Sequence, residues 1–214
     1  MKKQANQTTP TTLIREYHEW IQMRWLNERD ATLHRVLLAG DSIAGGHAVQ
    51  VHERLKDRFC VDCFATSKHV TDAEYMPDLE FMLGRKRYEL IVFNNGLHGF
   101  DIDDALYAPA LRAIFAALKG RTPRLAWRSS TPMFKWPIEN GKPEPHERAP
   151  RILRRNADAL AAARDIALPV LDLYAPMADR PELFCDGCHC TAEGVEFQTR
   201  LVADFIKSLF KEQM

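Results

Sequence analysis

The sequence predicts an α/β fold in which helices cover both faces of a parallel sheet. Short apolar runs recur along the chain, and segments with helical spacing separate them. The runs lie at residues 35–39, 60–65, 89–93, 124–128 and 168–173. Unbroken apolar runs of this length are typical of strands that are buried on both faces.

Helical spacing is clearest at residues 106–118 and 152–166, and a third such segment, 192–210, closes the chain. Another helical segment extends from Ser42 to about residue 57. Strands that alternate with helices imply right-handed crossovers between parallel neighbours. Reactive groups in such sheets collect beyond the carboxyl ends of the strands, so polar residues that directly follow a strand are the first candidates for a site.

The first 34 residues precede this alternating pattern. Residues 1–12 are polar and rich in Thr and Gln, which predicts a flexible tip. Apolar residues then recur at helical spacing, namely Leu13, Ile14, Tyr17, Trp20, Ile21 and Leu26. We therefore expect a helical extension over residues 13–34, followed by one domain over residues 35–214.

Composition and charge narrow the class of protein. A chain of 214 residues with 46% hydrophobic and 27% charged residues is typical of a single globular domain. Lys plus Arg equals Asp plus Glu at 29 each, so no net charge attracts nucleic acid, and we expect no nucleic-acid partner. The chain has no apolar stretch of the length that spans a membrane and no signal-peptide pattern. We expect a cytoplasmic protein.

The strongest local motif is Gly40-Asp41-Ser42, which lies where the first apolar run meets a helix. At such a junction the serine hydroxyl is accessible, and its own N–H belongs to the unsatisfied first turn of the helix. The motif predicts a nucleophilic serine with an oxyanion donor beside it. Gly-Asp-Ser is also an ordinary helix N-cap, so the motif alone does not decide the matter.

A second motif, Asp186-Gly187-Cys188-His189, directly precedes the last helical segment. A carboxylate three residues before a histidine can accept its Nδ1–H and leave Nε2 free to take a proton from a hydroxyl. Taken singly, these residues could be a capping aspartate and a surface histidine. Together with Ser42 in one α/β chain, they predict a Ser-His-Asp triad.

A third candidate is Asn94-Asn95-Gly96, which follows the third apolar run. A side-chain amide beside a flexible glycine is suited to stabilise a tetrahedral intermediate, although the same residues favour a simple turn. His98 follows this motif and is a further candidate for the site. The alignment of strand ends predicts that all these residues face the same edge of the sheet as Ser42.

The long segment 133–150 follows the fourth run and contains Phe134 and Trp136, with Lys135 and Lys142 nearby. Aromatic rings of this kind suit stacking on a sugar ring, so Trp136 is a candidate substrate contact. The alternative is a proline-stiffened surface connection in which Trp136 packs on the scaffold.

These motifs, in this order, resemble the SGNH/GDSL hydrolase superfamily from about residue 35 onward. Thr131-Pro132 and Asp172-Leu173-Tyr174 also resemble segments of that superfamily. The resemblance implies a three-layer αβα, flavodoxin-like fold. It also implies an esterase, lipase, thioesterase, carbohydrate deacetylase or acyltransferase that needs no cofactor.

Two departures from the superfamily pattern matter for the oxyanion site. The glycine expected after the second strand has no counterpart in residues 66–69, so a backbone N–H near Ser67 is expected to replace it. The third motif resembles the FNxG form of carbohydrate O-acetyl esterases and O-acetyltransferases, which favours Asn94 over Asn95 as the side-chain donor.

The sequence therefore predicts an esterase that acts on O-acyl groups of a carbohydrate, with Ser42 as nucleophile, His189 as base and Asp186 orienting it. An O-acyltransferase and an inactive binding module of the same fold are the alternatives. We expect no metal site, because Cys60 and Cys63 are three apart in a strand and point to opposite faces. The five cysteines are expected as reduced thiols, and the arginines of residues 151–155 as a solvated helix face.

Overall fold

The computed structural model describes residues 18–139 and 142–211, and every helix and strand lies within those two ranges. The strands are β1 (Ile21–Arg24), β2 (His34–Gly40), β3 (Phe59–Thr66), β4 (Leu90–Phe93), β5 (Arg124–Arg128) and β6 (Val170–Leu171). The helices are α1 (Ser42–Leu55), α2 (Tyr75–Leu83), α3 (Tyr107–Lys119), α4 (Ala149–Asp165) and α5 (Ala192–Ser208). No helix within these ranges is both long and apolar enough to cross a bilayer.

The six strands form one sheet in the order β1-β3-β2-β4-β5-β6. All neighbours pair in parallel except β1, which pairs with β3 in antiparallel fashion. The strand β2 lies inside the sheet, with β3 on one side and β4 on the other. The predicted α/β class with a parallel central sheet is confirmed, and the carboxyl ends of β2, β3, β4 and β5 lie at one edge.

Alternate side chains of the strands build two apolar layers, one on each face of the sheet. On one face, Leu37 and Phe93 belong to a buried cluster with residues of α2, α3 and α4, among them Leu79, Leu111 and Ala159. On the other face, Val36, Leu38 and Val61 pack with residues of α1 and α5, among them Val51, Val202 and Ile206. The result is the expected three-layer arrangement of helices, sheet and helices.

The N-terminal segment differs from the expectation. The predicted helical extension over 13–34 is wrong for residues 18–34, because Ile21–Arg24 forms β1 and pairs with β3 from Ile21↔Thr66 to Arg24↔Cys63. Trp20 packs on the face of α1 and α5, whereas Met23 packs on the opposite face. Apolar residues that are three positions apart can lie on one face of a helix or on opposite faces of a strand. Here the strand is favoured because the edge of β3 offers unpaired backbone groups. The predicted tip, residues 1–12, and residues 13–17 lie outside the described residues.

The fifth predicted strand is shorter than its apolar run. Only Val170–Leu171 pairs with β5. The strand ends because the Asp172 carboxylate accepts hydrogen bonds from the backbone N–H groups of Tyr174 (2.8 Å) and Ala175 (3.2 Å), which turns the chain away from the sheet.

The arginines of α4 are not a solvated face, which corrects the prediction for residues 151–155. Arg155 is 1% exposed; it pairs with Asp104 at 3.0 Å and donates to the carbonyls of His98 (2.6 Å) and Gly99 (2.8 Å). Arg151 also pairs with Asp104 and donates to two carbonyls of the same loop. The two guanidinium groups therefore attach the loop after β4 to α4.

We predict that Arg155→Met lowers the free energy of unfolding by about 2–4 kcal/mol, because it leaves buried carbonyls and part of the Asp104 carboxylate without donors. Arg154→Met is the matched control, since Arg154 is exposed on the same helix; its effect should stay within about 0.5 kcal/mol. Denaturant unfolding of both variants measures the difference. Equal effects would mean that the bonds of Arg155 contribute nothing to stability.

Candidate active site

Ser42 is the first residue of α1 and follows β2 after one intervening residue, Asp41. Asp41 is the N-cap of α1, and its carboxylate accepts the N–H of Ile43 at 3.0 Å. A side chain at Gly40 would approach Ala44 Cβ to 2.8 Å, so the close contact between helix and strand requires glycine there. The N–H of the first helical residue has no acceptor within the helix, which leaves Ser42 with both its hydroxyl and its N–H at the carboxyl edge of the sheet.

Asp186 and His189 lie in a tight turn, residues 184–190, directly before α5. A bridge between Phe184 and Cys190 closes this turn, and the N–H of Cys185 donates to the carbonyl of His189 at 2.8 Å. Gly187 has a φ of 83°, and a Cβ there would lie 2.3 Å from the carbonyl oxygen of Phe134. The turn therefore needs glycine both for its left-handed backbone and for its contact with the 133–148 loop.

The structure brings Ser42, His189 and Asp186 together. His189 Nε2 lies 2.9 Å from Ser42 Oγ, and His189 Nδ1 lies 2.7 Å from Asp186 Oδ2. Because the Asp186 carboxylate can only accept at that distance, it favours the tautomer with the proton on Nδ1. Nε2 then presents its lone pair to the Ser42 hydroxyl, which is the arrangement that a proton acceptor requires.

Several hydrogen-bond donors stabilise the charged form of the Asp186 carboxylate. Partial burial alone would raise the pKa of Asp186, but hydrogen bonds from the His189 ring and from the N–H groups of His189 (2.6 Å) and Cys188 (2.9 Å) outweigh it and hold that pKa below its usual value. About half of each of the Asp186 and His189 side chains is exposed, so the pair is accessible from solvent.

Asn94, the expected side-chain donor to an oxyanion, points into the protein. It is 1% exposed, and its Nδ2 donates to the carbonyl of Arg128 at 2.8 Å and to Ser130 Oγ at 3.1 Å. Both amide hydrogens are therefore engaged between β4 and β5. The geometry does not fit the role that the sequence predicted for Asn94.

Two other expected contributors to the oxyanion site are also engaged. Asn95 is fully buried, and its Nδ2 donates to the carbonyl of Lys68 at 2.9 Å. The N–H of Ser67 donates to the carbonyl of Trp20 at 3.1 Å, so it does not fit the expected replacement for the missing glycine. Gly96 lies so close to Ser130 that a Cβ at position 96 would be 2.2 Å from Ser130 Oγ. Packing alone therefore accounts for a glycine at this position.

His98 lies at the same edge, where its partly exposed ring meets Trp20 edge-on at 6.0 Å. Its carbonyl accepts from Arg155, so its backbone is fixed by α4. Trp20 is not among the residues that the sequence predicts for the site, because the sequence predicts that its segment precedes the domain. The antiparallel pairing of β1 with β3 carries Trp20 to the carboxyl end of β3.

The described residues of the 133–148 loop, 133–139 and 142–148, form two antiparallel segments that rest on the 184–190 turn. Phe134 pairs with Pro145, and the N–H of Phe134 donates to the carbonyl of Gly187 at 2.8 Å. Trp136 is 48% exposed, and its Cβ lies 3.2 Å from the position that a Cβ of Gly187 would occupy. The loop therefore places an exposed indole beside the turn that carries Asp186 and His189. Lys135, Glu144 and His146 of the same loop line a concave surface together with Trp136.

An apolar surface borders the three polar residues. Ile43, Leu97 and Ile152 form a small buried cluster, against which partly buried side chains pack, namely Phe100, Met133, Tyr174 and Cys188. Ile43 directly follows Ser42, and Cys188 directly precedes His189. One apolar cluster thus includes the chain neighbours of both Ser42 and His189.

One buried residue near Ser42 belongs to none of the sequence motifs. Arg128 ends β5 and is only 2% exposed. An arginine as the last residue of a strand that is buried on both faces is the signal that could have identified it. All five cysteines are free thiols, and the described ranges contain no group of three or more His, Cys, Asp or Glu side chains arranged to hold a metal ion.

Comparison with known sequences gives no match, either to a family model or to a curated protein. Comparison with solved structures gives many. A GDSL-like lipase from Bacteroides thetaiotaomicron aligns with a TM-score of 0.66 at 18% identity, over 82% of this chain and 89% of that one. A lipase/acylhydrolase from Enterococcus faecalis aligns with a TM-score of 0.66 at 19% identity, over 85% and 100%.

An acetylxylan esterase from Geobacillus stearothermophilus aligns with a TM-score of 0.64 at 13% identity, over 81% of this chain and 94% of that one. Each of the three alignments spans more than 80% of this chain. They confirm the expected resemblance at the level of architecture: the chain has the fold of the SGNH/GDSL hydrolases.

Proposed function

We propose that this protein is a serine esterase with Ser42 as nucleophile, His189 as general base and Asp186 as the residue that orients the base. The observation that carries the proposal is the continuous hydrogen-bonded series from Ser42 Oγ through the His189 ring to Asp186. The fold supports it, because structures of the same architecture include proteins described as lipases and acetylxylan esterases.

The first half of the reaction forms an acyl-enzyme. Ser42 Oγ attacks the ester carbonyl carbon while its proton passes to His189 Nε2, and the carbonyl π electrons move to the oxygen. When the tetrahedral intermediate collapses, the bond to the leaving alcohol breaks. His189 gives its proton to the departing alkoxide, so no charge is left on either product.

The second half repeats the same steps with water. His189 takes a proton from water as its oxygen attacks the acyl carbon, and Ser42 then leaves with that proton. Asp186 remains ionised throughout and stabilises the positive charge that appears on the imidazole. The free acid departs, and the serine hydroxyl is regenerated.

The oxyanion donor that we assign first is the N–H of Ser42. It lies in the first turn of α1, where the partial positive charge of a helix N-terminus is greatest. The buried side-chain amides of Asn94 and Asn95 already donate to protein oxygens, which favours a backbone donor over either of them.

We assign an O-acyl carbohydrate as the substrate class. The exposed indole of Trp136, beside the 184–190 turn, supplies a flat apolar surface on which a sugar ring can stack. The apolar residues that flank Ser42 and His189 suit the acyl group. Two of the structures that share this fold are each described as an acetylxylan esterase, which agrees with this assignment.

An uncharged fluorophosphonate probe tests the nucleophile. Wild type should gain one equivalent of probe at Ser42. Ser42→Ala should remain unlabelled because, among the described residues, Ser42 alone has a hydroxyl paired with His189 Nε2, at 2.9 Å. Intact-protein mass spectrometry measures the adduct. Ser129→Ala is a suitable control, since Ser129 Oγ pairs with Asp172 instead. Equal labelling of wild type and Ser42→Ala would remove the nucleophile assignment.

The pH dependence tests the base. His189 must be neutral to accept a proton, so kcat/KM should be low in acid solution and rise with pH. The pKa of Asp186 is lowered, so this carboxylate stays charged at neutral pH and the rise should follow a single deprotonation. Asp186→Asn should lower kcat by about a hundredfold or more. A flat profile for wild type would contradict a histidine base.

Trp136 tests the substrate class. Trp136→Ala should raise KM for an acetylated oligosaccharide by about tenfold while leaving kcat/KM for p-nitrophenyl acetate nearly unchanged, because only the larger substrate reaches the indole. Phe81→Ala, which removes an exposed aromatic ring from α2, is the control and should change neither value. An equal loss on both substrates would assign Trp136 to the support of the 184–190 turn.

A further inference from the structure

A buried cation lies beneath the turn that carries the nucleophile. Arg128 packs so close to this turn that a Cβ at Gly40 would lie 3.3 Å from one of its terminal nitrogens. Two other buried arginines pair closely with carboxylates, Arg35 with Asp62 at 2.8 Å and Arg155 with Asp104 at 3.0 Å. Both terminal nitrogens of Arg128, in contrast, have no hydrogen-bond partner among residues 18–139 and 142–211.

The carboxylate of Asp41 is buried in the same place. Asp41 is 0% exposed and directly precedes Ser42. One of its oxygens caps α1, and the other has no hydrogen-bond partner within the described part of the chain. A buried carboxylate is costly unless a positive charge offsets it. Burial lowers the pKa of Arg128, and the nearby Asp41 carboxylate opposes that shift.

The other titratable groups around Arg128 are neutral at pH 7. Burial raises the pKa of the Cys63 and Cys190 thiols to about 12. Burial, together with the charge of Arg128, lowers the pKa of His47 to about 3. Among the described titratable groups that act on the Arg128 guanidinium, Asp41 is the one carboxylate.

We propose that Arg128 is a positioning residue that offsets the charge of Asp41 beneath Ser42 and thereby permits negative charge to develop on the substrate's carbonyl oxygen. Asp41 fixes the first turn of α1, but its charge alone would oppose an oxyanion held at the N–H of Ser42. In a buried region this repulsion is weakly screened, so a compensating cation next to Gly40 lowers the barrier to acylation. The inference rests on the proposed esterase function.

The test is a double-variant cycle on the rate at which the uncharged fluorophosphonate probe labels Ser42. In that step an Oγ–P bond forms, the P–F bond breaks, fluoride leaves and the serine proton passes to His189. Arg128→Met should slow labelling and kcat by at least about tenfold while KM changes little, because the unbalanced Asp41 charge disfavours the anionic transition state. Arg128→Lys, which keeps the charge, should retain most of the rate.

Asp41→Asn placed in the Arg128→Met background should restore labelling to within about fivefold of wild type, since asparagine still caps α1 and no unbalanced charge remains. A restored melting temperature without restored labelling would show that Arg128 is merely structural, and would overturn the proposal. Should Arg128→Met not fold, the neutral double variant is decisive alone: labelling more than about tenfold slower than wild type overturns the proposal.

The buried pair Arg35 and Asp62 provides the matched control, because it joins the amino-terminal part of β2 to β3, away from Ser42. Arg35→Met and its double variant with Asp62→Asn should change the melting temperature but not the labelling rate of the folded protein. A wild type that is not labelled at all would overturn the esterase function and this inference together. A wild type labelled at Ser42, with Arg128→Met labelled equally fast, would overturn this inference alone.

Discussion

The position of β2 between β3 and β4 is the constraint on which the site depends. Parallel pairing on both sides fixes the height at which β2 ends, and Ser42 follows that end after a single residue. Because the neighbouring strands run in the same direction, the loops after β3, β4 and β5 emerge at the same edge. The apolar layers on the two faces keep the sheet, and hence this edge, rigid.

His189, the hydrogen-bond partner of Ser42, lies far along the chain from it, directly before α5. The packing of α5 on α1 brings the two residues together. Gln198 of α5 joins the two parts of the site: its Oε1 accepts from His47 of α1 at 2.9 Å, and its Nε2 lies 3.1 Å from the Cys190 sulfur. His47 is on the helix that begins with Ser42, and Cys190 directly follows His189. The contact is buried, and His47 is held neutral, so it links the two elements without adding a charge.

The sequence predicted most of the sheet and helices because buried parallel strands and amphipathic helices have distinct periodicities. It also predicted that Ser42, Asp186 and His189 meet, since strand ends align in such folds. The prediction failed where pairing with a distant segment determines the secondary structure. The segment that contains Ile21 has helical spacing, but it forms a strand because it pairs with the free edge of β3. Asn94 and Asn95 were correctly placed after a strand, but side-chain direction and the competing oxygens of neighbouring residues do not follow from sequence.

The antiparallel strand β1 has a consequence for how the chain behaves when shortened. It pairs with Cys63–Thr66, the carboxyl-terminal half of the eight-residue strand β3, whose residues are all buried. Along that half of the sheet edge, the outermost residues are instead the four of β1, one of them Arg24. A chain cut at residue 35 would expose the β3 edge as a template for strand addition, and its molecules would associate through their sheets. Strand β1 thus covers part of the β3 edge and also carries Trp20 to the carboxyl end of β3.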